Sequence, residues 1–262
     1  MLAPRVIPVL LLDGRRLVKT VRFREPRYIG DPMNAVRIFN QKEVDELVLL
    51  DIGATAAGTG PQFDFIREVV SSAFMPVCYG GGVTTLPQME KLFQLGIEKV
   101  SLGAATRQLP GLVGDAAKAF GRQSVVACID FKRRLIGGPT VVTGRGTDDL
   151  RRKPAEFARA VQDAGAGEIL LQSVDRDGTF DGYDLPVIQE VAAAVNVPVI
   201  ACGGARDFAD LAAAIAHGAS AAAAGSLFVF QGKLRAVLIS YPPRTELMKL
   251  VPPRNAPGSP PR

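Results

Sequence analysis

The chain has 262 residues, 47% of them hydrophobic and 6% aromatic, with no tryptophan and a formal net charge of +5; that is enough apolar material for one large core or two small ones. Lys and Arg are scattered except in "FKRR" (131–134) and "DDLRRK" (148–153), which read as solvated loop charge or a local grip on phosphate, and the lack of basic-aromatic interleaving argues against a nucleic-acid face. No apolar run reaches the roughly 18 residues of a membrane span and the N-terminus lacks the pattern of a signal peptide, so a cytoplasmic protein without membrane insertion is expected.

In chain order, "VIPVLLL" opens a series of short β-rich runs, and after a charged connection comes the helical pattern "NAVRIFNQKEV". "ELVLLDI" is then followed by "FDFIREVVSSA", "PVCYGG" by "LPQMEKLFQLG", and "KVSLGA" by "GLVGDAAKAFG". The second half repeats the alternation: "VVACIDF" and "PAEFARAVQDAG", "EILLQSV" and "DLPVIQEVAAAV", "PVIACGG" and "DFADLAAAIAHG", and finally "AAAAGSL". Strands apolar on both faces, each followed by a helix, signify a parallel sheet covered by helices, and eight of them close a (β/α)8 TIM barrel. The halves echo each other: Glu46 in "DELVLLDIGA" and Glu168 in "GEILLQSVDR" lie 122 residues apart, as do Met75 and Val197 at the starts of two further matching segments. The fold expected is therefore an α/β barrel of two half-barrel repeats over residues 1–240, followed by a Pro-rich tail, 241–262, expected to be disordered.

Three cysteines, Cys78, Cys128 and Cys202, fall in apolar strand patterns with no CxxC, and there is one histidine; they read as small core residues of a reduced protein, and neither a metal site nor a cofactor is expected. His217 lies just before Gly218, where histidine commonly serves a helix C-terminus.

In a barrel of this kind chemistry sits at the C-terminal ends of the strands. Candidates there are Lys19 after strand 1, Asp51 after strand 2, Gly81 and Gly82 after strand 3, and Asp130 after strand 5. They continue with Asp177 and Gly178 after strand 6, Gly203 and Gly204 after strand 7, and Gly225 with Ser226 after strand 8. Glycine turns feeding helices expose N–H groups that suit phosphate, though tight βα loops need glycine for geometry alone; the duplicated pair favours two phosphate cradles across one mouth. Asp130 stands where a buried strand delivers a carboxylate able to act as general acid or base, or else a structural acid holding loop N–H groups. Asp177 could do the same or belong to a turn, and Lys19 could hold phosphate or be a solvated loop residue. The first strand presents Leu11, with no ionisable group until Asp13, about 6 to 7 Å further along. Arg5, Glu46, Lys99 and Glu168 sit at strand starts, on the opposite face. They form either a solvated collar or a polar gate into the barrel axis.

Together "RVIPVLLLDGR", "GDP" (30–32), "DELVLLDI", "GGGV", "VVACIDFKR", "GAGEILLQSVDRDGTFDGYDL" and "NVPVIACGGA" resemble the cyclase (synthase) subunit family of imidazole glycerol phosphate synthase over about residues 2–230. The resemblance implies a (β/α)8 barrel working with a glutaminase partner of the class I amidotransferase type, docked at the N-terminal face, whose ammonia enters the barrel floor and reacts at the other end. Arg5, Glu46, Lys99 and Glu168 match the family's gate ring; Lys19, Asp51, Asp130, Asp177, Gly178, Gly82, Gly203, Gly204 and Ser226 match substrate-side positions.

The match fails at the catalytic pair. Where the histidine-pathway enzymes end strand 1 with a catalytic Asp, this chain has Leu11; a phosphate-anchoring Asn-Thr after strand 4 is Gly103-Ala104, and a Thr on strand 6 is Gln172. Residues 9–47 and 221–244 are more similar to a paralogous branch linked to acetamidino modification of sugars in surface polysaccharides such as O-antigen, in which the barrel supplies ammonia to a separate ATP-dependent sugar amidotransferase. Two other readings stand beside that one: a histidine-pathway cyclase in which Asp13 or another acid takes over, and a non-catalytic scaffold that activates its glutaminase.

Overall fold

A computed structural model describes residues 4–108, 110–232 and 234–250. Eight parallel strands form a closed barrel: β1 (Arg5–Asp13), β2 (Leu47–Asp51), β3 (Val77–Gly80), β4 (Lys99–Leu102), β5 (Val125–Arg133), β6 (Glu168–Ser173), β7 (Val199–Cys202) and β8 (Ala221–Ala224). Closure comes from β1, which pairs in parallel with β8 through Arg5–Ala221 to Pro8–Ala224 and with β2 through Val9–Val48 to Leu12–Asp51. All eight expected strands are present.

Each strand divides its side chains by parity, because neighbours on a strand point to opposite faces. Leu10, Leu12, Leu47, Leu49 and Tyr79 face the ring of helices, in the larger apolar cluster. Ile7, Val9, Leu11, Val48, Cys78 and Val126 face the barrel interior, in a second, smaller cluster. Two packed layers per strand explain why the runs are apolar throughout. The helices bring their own start signals: Asp31 accepts from the Asn34 N–H to open the helix Pro32–Gln41, and Thr85 with Gln88 forms a capping box at the start of Leu86–Gln94. His217 ends the helix Phe208–Ala216, its Nδ1 2.8 Å from the Ala213 carbonyl.

Three features depart from expectation. Residues 16–30 form an antiparallel arm, Arg16–Val21 and Arg24–Gly30, that continues from β1. Lys19 therefore lies within a strand, 6% exposed, and is no solvated loop residue. Likewise β5 runs on through Phe131–Arg133 into an antiparallel extension, Pro139–Thr143, so part of "FKRR" is strand; Arg133, though exposed, grips Asp184 with two bonds of 2.7 Å. The expected boundary at 240 is also displaced. Tyr241 is buried and donates to the Val6 carbonyl at 2.8 Å, and Leu247, at the end of the short helix Arg244–Leu247, and Leu250 just after it are buried. The reason is that Tyr, Leu and Leu punctuate the proline-rich stretch and cover the barrel's N-terminal end; the remainder of the expected tail, 251–262, lies outside the described residues.

Candidate active site at the barrel mouth

At the floor, Arg5 bridges Glu46 and Glu168, while Lys99 Nζ reaches Glu46 Oε2 at 3.0 Å and Glu168 Oε2 at 2.8 Å. Strand starts on β1, β4 and β6 supply three of these residues, and the residue just before β2 supplies Glu46. The result is a closed ring of alternating charge, with both glutamates almost wholly buried and both cations partly open. Burial opposes the charge of Arg5 and of Lys99, but hydrogen bonds and the field of Glu168 and Glu46 outweigh it and hold both cations above their ordinary ranges.

At the mouth, two adjoining cavities of about 300 Å³ each share Leu50, Asp51, Gly103, Ala104 and Cys128. Asp130 lines the first cavity, on the inward parity of β5. Enclosure by the barrel wall pushes its carboxyl up to about 7, with a weak contact from the Cys128 thiol at 3.6 Å opposing the shift and the charge of Asp177 adding to it. This is the range in which a carboxyl can both give and accept a proton near neutrality. Leu11 lines the same cavity from β1. Asp13, two residues on, does not line it; its carboxylate binds Arg16 at 3.0 Å.

Asp51 sits between the two cavities, but Oδ1 accepts from the Gly53 and Ala54 N–H groups at 3.0 Å each, so the residue holds the β2 turn. Burial raises its pKa, those two bonds lower it, and Asp13 nearby raises it.

The two glycine turns differ in state. Gly81 and Gly82 line the second cavity. Gly203, Gly204, Gly225 and Ser226 line a third of only about 10 Å³, room for about one water. Lys19 and Asp177 fill the space there: Nζ donates to Asp177 Oδ1 at 2.8 Å, the Thr20 hydroxyl donates to Oδ2 at 2.8 Å, and the Lys19 side chain lies against Gly225. The Ser226 hydroxyl is buried with no hydrogen-bond partner among the described residues. Geometry accounts for some of the glycines unaided. A Cβ on Gly81 would lie 2.3 Å from the Asp51 carbonyl and one on Gly204 2.2 Å from the Gly182 carbonyl, both at positive φ. A Cβ on Gly178 would meet the Thr20 carbonyl at 2.5 Å, so this glycine lets the arm dock on the β6 loop.

Sequence reasoning missed Cys128 as a residue of the mouth, and named Gln172 only as the replacement of a Thr near the ammonia exit of strand 6. Cys128 was expected in the core, yet it lines both large cavities, because β5 residues of its parity face inward. Burial pushes its thiol well above the ordinary range, so it stays protonated. Gln172 pairs in register with Asp130 across β5 and β6 and lines the first and third cavities. It follows the apolar run Ile169–Leu171 near the end of its strand.

Comparison with known proteins places this geometry. The family model described as "Histidine biosynthesis protein" matches residues 5–235. A Pseudomonas aeruginosa protein provisionally named imidazole glycerol phosphate synthase subunit hisF2 is 54% identical over 243 residues, covering 92% of this chain and 97% of its own. The chain belongs to the cyclase-subunit family of imidazole glycerol phosphate synthase. A Vibrio vulnificus protein provisionally named subunit hisF3 is 47% identical, covering 95% of this chain and 96% of its own. The imidazole glycerol phosphate synthase subunit HisF of Streptomyces griseus is 42% identical, covering 89% of this chain and 93% of its own. Among the described residues no helix of this family member is long and apolar enough to cross a membrane.

Proposed function

We propose that the chain is the barrel subunit of a glutamine amidotransferase complex that receives ammonia from a glutaminase at its N-terminal face and passes it along the barrel to the mouth. We further propose that the ammonia serves acetamidino modification of an N-acetylated nucleotide sugar, through a separate ATP-dependent amidotransferase, for O-antigen or a related polysaccharide.

One observation carries the reading: the ring of Arg5, Glu46, Lys99 and Glu168 closes the floor with four ion pairs, while at the mouth Leu11, not an acid, faces the cavity of Asp130, whose other acid, Asp51, holds the β2 turn. A buried ion ring roughly breaks even in stability against apolar packing, so its completeness is better explained by traffic through the floor. A positioned acid or base supplies about 10²- to 10⁴-fold in rate; its loss beside an intact floor favours delivery of ammonia over cyclisation in place. The higher identity to the relatives numbered hisF2 and hisF3 than to the Streptomyces griseus subunit supports the same branch.

A histidine-pathway role would need Asp13 to replace the missing acid, and its engagement with Arg16 outside the cavity opposes that. Within this proposal Lys19, Gly81, Gly82, Asp177, Gly178, Gly203, Gly204, Gly225 and Ser226 bind a phosphorylated ligand, the third cavity opening when Lys19 exchanges Asp177 for phosphate. The test is reconstitution with the glutaminase and the sugar amidotransferase on glutamine labelled with ¹⁵N in its side-chain amide, in excess unlabelled ammonium. Transfer of label to the amidino product supports the proposal; product carrying only the unlabelled nitrogen of the solvent refutes it.

A further inference from the structure

Gln172 is 4% exposed, and its carboxamide has no hydrogen-bond partner among the described residues. An amide at a cavity wall with no protein partner is left to bond water or a ligand. Its side chain borders the cavity that holds Asp130, with which it is paired in register on the adjacent strand.

Two further charged residues line that cavity: Asp51, whose Oδ1 accepts from the Gly53 and Ala54 N–H groups, and the exposed Arg145, which donates to the Ile52 carbonyl at 2.8 Å. Lys19 and Asp177, on the far side of Gln172, neutralise each other. Asp130 has only the weak thiol of Cys128. Leu11 and Leu50 complete the wall. On the β5 and β6 wall stand one carboxyl and one carboxamide beside apolar side chains, while the one cation of the lining, Arg145, is exposed and held by the Ile52 carbonyl. That set fits a small nitrogen species with several N–H donors and at most one positive charge.

We infer that Asp130 and Gln172 form a holding station for ammonia, kept as ammonium, at the mouth end of the barrel. Arriving ammonia takes the proton from the Asp130 carboxyl, breaking O–H and forming N–H, and the resulting ammonium pairs with the carboxylate while donating to Gln172 Oε1. Release reverses the transfer: the proton returns to Asp130 and neutral ammonia leaves. Leu11 adds no further carboxyl to those of Asp130 and Asp51, since another acid there would oppose return of the nitrogen as a neutral nucleophile.

The inference rests on the proposed delivery of ammonia, but its test does not need the partners. The full chain is titrated with ammonium chloride while the Gln172 side-chain amide and the Asp130 carboxyl carbon are followed by NMR, with sodium chloride and tetramethylammonium chloride as matched controls. Saturable shifts with ammonium alone are expected. Asp130→Asn should abolish them, Gln172→Leu should weaken binding at least tenfold, and Gln172→Glu, which keeps an acceptor and adds charge, should tighten it. Shifts equal in sodium, no saturable shift in ammonium, or unchanged affinity in a folded Gln172→Leu protein would each overturn the station. The ¹⁵N-transfer assay separates the two readings. Label transfer without ammonium binding overturns the station and leaves delivery standing, whereas binding without label transfer overturns delivery and leaves a cation site.

Discussion

Replacing Lys99 by alanine opens the floor ring at one point. Glu46 and Glu168, both nearly buried, then share Arg5 alone, and the ring changes from neutral to a net charge of −1. Removing one partner of a fully buried pair costs about 3–5 kcal/mol, mostly the penalty of the charge left behind. The Lys99 side chain is 20% exposed, so water can enter the vacated space, and about 2–3 kcal/mol is the better figure after that screening. For a domain of this size that lowers Tm by roughly 4 to 10 °C. The same change should uncouple the two halves of the reaction, with glutamine hydrolysis continuing while nitrogen transfer to the acceptor falls. Because the glutamates hold Lys99 above its ordinary range, its contribution is fully present below that range and is lost only as pH rises past the raised value. The Tm difference between wild type and variant should therefore be the same at pH 6 and pH 9. Thermal denaturation at both pH values and a paired glutamate-versus-product assay measure all of this. A Tm change under 1 °C together with unchanged coupling would reduce the ring to a solvated collar and refute the reasoning.

Further outcomes follow from the mouth and the packing. Asp130, held at about 7 in the fold and near 3.9 unfolded, binds its proton more tightly when native, so its contribution is fully present below about pH 4 and is lost as pH rises through 7. Asp130→Asn should thus gain about 4 kcal/mol over wild type between pH 4 and pH 8, read by denaturant titration; a flat difference would count against an enclosed carboxyl. Leu11→Asp adds a further acid to the cavity of Asp130 and should raise the Asp130 titration midpoint in a ¹³C spectrum by about one unit or more; an unmoved midpoint would mean the two positions do not share a cavity. Gly204→Ala, with a Cβ 2.2 Å from the Gly182 carbonyl, should cost at least about 2 kcal/mol, and Tyr241→Ala about 3 kcal/mol; wild-type stability in either would overturn the packing described.

The eight barrel strands were legible because each is buried on both faces and so reads as an unbroken apolar run. That same property hid which face is which. Cys128 and Ile129 look alike in sequence, and only the parity counted from Asp130 puts the thiol in the mouth and the isoleucine under the helices. The arm after β1 was missed because "RFREPR" carries four charges in six residues, and a buried lysine such as Lys19 is paid for by a partner, Asp177, 158 residues away. The clustering of Arg5, Glu46, Lys99 and Glu168 could be anticipated, since all four mark strand starts and a barrel brings strand starts together. Tyr241 was hidden by its prolines, as composition says nothing of a hydroxyl that closes on the Val6 carbonyl.

The most direct test of the account is the rate at which the complex of this chain with its glutaminase makes imidazole glycerol phosphate from the histidine-pathway ribonucleotide and glutamine. The account predicts glutamine hydrolysis with imidazole glycerol phosphate formed at least about 100-fold more slowly than a barrel carrying both acids achieves. Formation at a normal rate would contradict it.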